Sequence, residues 1–91
     1  MADVDVGRKE PLANGYAHAV RVNGESYRVE MERHEGVRDF ARSRGTVSWT
    51  ARVVRASDGL TVYNRRVLAS TKVAGVLRMA GLIPFGEVAH V

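Results

Sequence analysis

Residues 16–33 read YAHAVRV-NG-ESYRVEMER, two alternating apolar and polar runs joined by Asn23-Gly24. Both turn residues tolerate the positive φ angles of a type I′ turn, so the segment predicts a tight β-hairpin. A two-residue loop places Val20 opposite Tyr27, His18 opposite Val29 and Tyr16 opposite Met31, which makes one face apolar. The other face, with Ala17, Ala19, Arg21, Arg28 and Glu30, is expected to be wet.

Downstream, the runs TVSWTARVV (46–54) and LTVYNRRVL (60–68) are rich in β-branched and aromatic residues and flank the turn pair Asp58-Gly59. They predict a second hairpin. Val47, Trp49, Ala51 and Val53 alternate onto one face, which puts Trp49 in the core. A loop of two or four residues gives one parity, so Thr50, Arg52 and Val54 are expected to share the other face with Thr61, Tyr63 and Arg65. Between the hairpins, Val37, Phe40 and Ala41 have helical spacing before Gly45, predicting a short helix from about Gly36 to Arg44.

A second helix is predicted near the C-terminus. Val73, Val76, Leu77 and Ala80 form an i, i+3, i+4, i+7 stripe, with Ser70 as N-cap, Gly81 just past the end and Pro84 beyond. Gly75 inside it suggests close packing on a strand. The tail PFGEVAHV reads equally as a short strand or a docking segment. Residues 1–14 contain Pro11, end at the Asn14-Gly15 turn signal and lack any apolar period, so they read as a flexible arm before a single domain over 15–91. The expected fold is thus α+β: a four-stranded, mainly antiparallel sheet in the order ββ(α)ββα, with the final helix on one face.

Composition narrows the function classes. The 91 residues include no cysteine, which excludes disulfides, thiolate nucleophiles and thiolate metal sites and suits a reducing cytoplasm. No apolar run is long enough for a signal peptide or spanning helix. Formal net charge is +4 and the pI about 10.1. The charge is uneven: residues 1–40 carry six basic and eight acidic groups, residues 41–91 eight basic and two acidic. A basic half points to a polyanion, most often nucleic acid. Arginine outnumbers lysine twelve to two, a bias that a GC-rich genome also produces.

His18, His34 and His90 fall in no metal or nucleophile motif, and Glu30, Glu32 and Glu35 read as solvated face charge. Neither GxxxxGK[ST] nor GxGxxG occurs. No cofactor or metal is expected. The constellation with a shape is basic. Arg52, Tyr63 and Arg65 share a face with Thr50, neighboured by Arg42, Arg44, Arg66, Lys72 and Arg78, and arginine with an aromatic on a sheet suits phosphates and stacked bases.

The run LTVYNRRVLASTKVAGVLRMAGL, about a quarter of the chain, resembles the end of HicA-type mRNA interferase toxins. The resemblance implies a double-stranded-RNA-binding-domain-like fold and, in the family, a catalytic histidine on the strand after a Gly-Ser or Gly-Thr pair. Here Gly45-Thr46 is followed by Val47, Ser48 and Trp49. The expected function is therefore non-enzymatic nucleic-acid binding. The alternatives are a protein-interaction or inhibitor module, homodimeric or not, docking through Leu82, Ile83 and Phe85 with Val88 and Val91, and third a degenerate HicA-like ribonuclease.

Overall fold

The computed structural model describes residues 3–37 and 46–84, with side chains for 3–34 and 47–84. Five strands come first: β1 (Val4–Leu12), β2 (Gly15–Val22), β3 (Glu25–Val37), β4 (Thr46–Arg55) and β5 (Thr61–Val67). The helix α1 (Val73–Met79) follows. The strands form one antiparallel meander in the order β1-β2-β3-β4-β5. The class is α+β as expected, with five strands among the described residues in place of four. No helix of the described residues is long and apolar enough to cross a membrane.

The first hairpin has the predicted register. Asn23 and Gly24 take φ of 49° and 84°, and Val20 pairs with Tyr27, His18 with Val29 and Tyr16 with Met31. β4 continues the apolar face, with Met31 opposite Ala51 and Val29 opposite Val53. These side chains form the core with Val4, Val20, Val22, Val76, Leu77 and Ile83. Trp49 packs against this cluster but is only half-buried.

The expected N-terminal arm is instead strand β1. Val4 and Val6 pair with Val22 and Val20, so the two valines extend the apolar face and bury surface. The period was hidden by a bulge, since Gly7 and Arg8 are skipped between Val6 and Lys9 and the alternation restarts out of phase.

The C-terminal helix is shorter than predicted. Lys72, not Ser70, is its N-cap and makes no side-chain cap bond. Its end is as expected: Gly81 has φ +78°, its N–H donates to Arg78 and that of Leu82 donates to Leu77. That closure turns Ile83 onto the core, where it is 4% exposed, with Leu82 half-buried. Two tail residues assigned to docking thus serve this chain's own core. Of the helix predicted from Gly36 to Arg44, residues 36 and 37 belong to β3 and 38–44 lie outside the described residues, as do Phe85, Val88 and Val91.

The β4–β5 loop, Ala56–Gly59, is held by Asp58, whose carboxylate accepts from Arg55 Nε at 3.1 Å, Arg55 Nη2 at 2.6 Å and the Leu60 N–H at 3.1 Å. The Arg55 hydrogen bonds, helped by that N–H, lower the Asp58 pKa to about 2. A carboxylate with a depressed folded pKa stabilises above its unfolded pKa, and the contribution is lost as pH falls through the folded value. Denaturant titrations from pH 5 to pH 2 should therefore show Asp58→Asn losing less stability over that interval than the wild type.

Two glycines test the packing. A Cβ at Gly15 would overlap the Met31 carbonyl oxygen and lie 2.9 Å from its carbon, whereas one at Gly75 meets only Thr71 Cγ2 at 3.6 Å. Gly75 therefore marks no close strand contact, contrary to the sequence expectation. Thermal melts should show Gly15→Ala destabilised by roughly 1–3 kcal/mol and Gly75→Ala stabilised by roughly 0.5–1 kcal/mol.

Candidate nucleic-acid interface

The bulge in β5 decides where the predicted site residues go. Val54 pairs with Thr61, as a four-residue loop requires, but Val53 pairs with Tyr63, leaving Val62 unmatched. Beyond that point parity inverts. Arg52 stands opposite Asn64, Thr50 opposite Arg66 and Ala51 opposite Arg65. Tyr63 and Arg65 therefore belong to the helix-bearing face, and only Arg66 joins Arg52. This corrects the expected grouping of Arg52, Tyr63 and Arg65.

Tyr63 is half-buried, with its hydroxyl 3.8 Å from Met79 Sδ of α1. Arg65 and Arg66 are exposed on β5, an edge strand, and Lys72 is exposed at the start of α1. Arg78 lies in the last turn of α1, half-buried and engaged. Arg42 and Arg44 lie outside the described residues.

The face without the helix carries a ladder of ion pairs. Glu10 of β1 pairs with Arg28 of β3 at 3.0 Å, reaching across β2 where Ala17 is 0% exposed. Arg28 Nε donates to Glu30 at 2.9 Å, and Glu30 also accepts from Arg52 Nε of β4 at 2.7 Å. Ala17, expected to be wet, is buried because the strands flanking it carry these long paired side chains. Burial alone would raise the Glu30 pKa, but the hydrogen bonds from Arg28 and Arg52 outweigh it and the net shift is downward.

By register, Arg21, Arg28, Arg52 and Arg66 share this face with Asp5, Glu10, Glu30 and Glu32. Leaving aside Arg66 at the β5 edge, three arginines meet four carboxylates, so the face inboard of that edge presents no net positive charge to a polyanion. An open cleft of about 300 Å³ on it is lined by Glu30, Glu32, His34, Thr50, Arg52 and Asn64. His34 Nε2 lies 3.0 Å from Thr50 Oγ1 and 3.3 Å from Glu32 Oε1. A relay that activates a hydroxyl needs the carboxylate on the other ring nitrogen. Here both compete for Nε2, so Thr50 is not an activated nucleophile. His18 lies on the opposite face, its Nδ1–H donating to the Gly7 carbonyl at 2.9 Å, and His90 is outside the described residues.

The helix-bearing face differs at its end near the β1–β2 turn. Lys9 Nζ sits 4.3 Å from the centroid of the Tyr16 ring, and Tyr16 reaches across β3 to Trp49, with ring centroids 5.9 Å apart. Arg33 stands opposite Trp49, and Arg65 opposite Ala51. The other described carboxylates, Asp3, Glu25 and Asp58, lie at the far end by the Asn23-Gly24 and β4–β5 turns. Sequence reasoning missed Lys9 because the bulge hid β1, and it placed Tyr16 and Trp49 on this face as core residues alone.

The chain matches no family model, no curated protein and no solved structure.

The ladder predicts a pH effect. With a lowered folded pKa, Glu30 stabilises the fold above its unfolded pKa, and the contribution disappears as pH falls through the folded value. Glu30→Gln should therefore be less stable than the wild type at pH 7, by on the order of 1 kcal/mol for a network whose two arginines are solvent-exposed. The gap should narrow as pH falls below the ordinary glutamate range, through the lowered folded pKa. Urea titrations at a series of pH values from 7 downward measure the difference.

Proposed function

We propose that this protein binds nucleic acid, and that the contact lies along β5 and the start of α1 rather than on the open sheet face. The observation that carries the reading is a charge imbalance: residues 59–84 include Arg65, Arg66, Lys72 and Arg78 and no Asp or Glu. Arg65, Arg66 and Lys72 are exposed and have no charged partner among the described residues. Arg65 and Arg66 are consecutive on an edge strand, so they project to opposite sides of it and can flank a phosphate backbone running along the edge. Unpaired arginines release counterions from a polyanion, whereas Arg52 would first have to leave Glu30.

Exposed apolar groups beside this edge favour a second reading. Leu68 is 76% and Met79 42% exposed, and they line a groove with Arg66, Val67 and Thr71. Such a patch next to a strand edge that has no neighbour among the described residues suits a partner protein.

Salt separates the readings. Binding of DNA or RNA oligonucleotides at about 50 mM salt should weaken steeply as salt rises. Arg65→Ala and Arg66→Ala should each reduce the slope of log K against log salt by about 1, with Arg52→Ala changing it less. A folded wild-type protein that binds no single- or double-stranded DNA or RNA at low salt would remove the nucleic-acid reading in favour of the protein partner.

A further inference from the structure

We infer that Tyr16 and Trp49, with Lys9, form a stacking surface for unpaired bases, so that the nucleic acid is single-stranded; the inference rests on the reading just given. Sequence-tolerant binding of single strands needs cations that follow the backbone and aromatic faces on which bases stack. The cations are Arg65 and Arg66 at the edge and Lys9 across the sheet. The aromatic faces are Tyr16 and Trp49, whose rings meet at a 53° tilt over the face where Met31 is 1% exposed. Each ring packs against the core and remains half-buried; Lys9 Nζ stands over the Tyr16 ring and His18 meets it edge-on at 5.8 Å, so a base stacks on Tyr16 by displacing the Lys9 ammonium.

The arrangement spans the sheet. Tyr16 pairs with Met31, Met31 with Ala51 and Ala51 with Arg65, so one row runs from β2 to β5 on the helix-bearing side. Three strand spacings make this about 14 Å, and Trp49 lies two residues from Ala51 along β4. The described carboxylates lie either on the opposite face or at the far end of the sheet. A duplex keeps its bases stacked within the helix and can use the cations but not the rings. The same two rings would also serve simply to cover the core, and the readout must separate that role from stacking.

Trp49 is the single tryptophan of the chain, so intrinsic emission reports this site directly. Wild-type protein is titrated at about 50 mM salt with an oligothymidylate, a duplex of equal length, and an abasic strand carrying the same number of phosphates. The oligothymidylate should quench Trp49 and bind at least about tenfold more tightly than the abasic strand. Tyr16→Leu, shown to be folded by its thermal melt, should lose roughly five- to hundredfold in affinity for the oligothymidylate with the salt slope unchanged. Equal binding of the thymidylate and abasic strands with Trp49 emission unmoved would overturn the stacking surface while leaving the edge cations as the polyanion site. Should none of the three probes bind, both readings fall.

Discussion

Strand register is the constraint on which the rest of this structure depends, and the type I′ turn at Asn23-Gly24 sets it. Because the side-chain period of a strand is two, a slip of one residue would move Val29 and Met31 to the polar face. With that hairpin in place, β4 joins β3 so that Ala51 and Val53 fall on the same side as Met31 and Val29, and β1 adds Val4 and Val6. The apolar face is then too large to leave in water. α1 and Ile83 cover it, and the helix is held by Val76 and Leu77, both 0% exposed, rather than by an N-terminal side-chain cap. A seven-residue helix has little stability of its own, so tertiary packing maintains it.

The two faces handle charge differently. On the open face, arginines and carboxylates alternate from strand to strand, and long side chains interlock over Ala17. Exposed pairs of this kind contribute little individually. Their larger effect is electrostatic, since they neutralise a surface that would otherwise be basic. Among the described residues, the uncompensated charge lies on β5 and at the start of α1. Both sheet edges contain a bulge, at Gly7-Arg8 in β1 and at Val62 in β5, and both carry charged residues, devices that discourage edge-to-edge association.

Bulges also explain which parts of the candidate site were legible. The basic character of the second half was visible in composition, and Arg65, Arg66 and Lys72 stood among the candidates within it. Their arrangement was not. One extra residue, Val62, moves Tyr63 and Arg65 to the opposite side from Arg52, and nothing in TVYNRRV distinguishes a regular strand from a bulged one. The same holds for VDVGRKEPL, where Gly7 and Arg8 together face Ala19 and the one extra residue disguises a strand as an aperiodic arm.

The sequence by itself determined the elements governed by neighbouring residues: the Asn-Gly turn and its register, the glycine-terminated helix with its apolar stripe, and the α+β class. These follow from local φ/ψ preference and periodicity, which act over a few positions. Only the tertiary structure decided the fifth strand, the partners of Arg52, the burial of Ala17 and Ile83, and the meeting of Tyr16 with Trp49. Each depends on residues far apart in the chain. A bulge is tolerated where the adjacent strand and the core accept it, and whether an arginine is paired or free depends on which carboxylate the next strand brings opposite it.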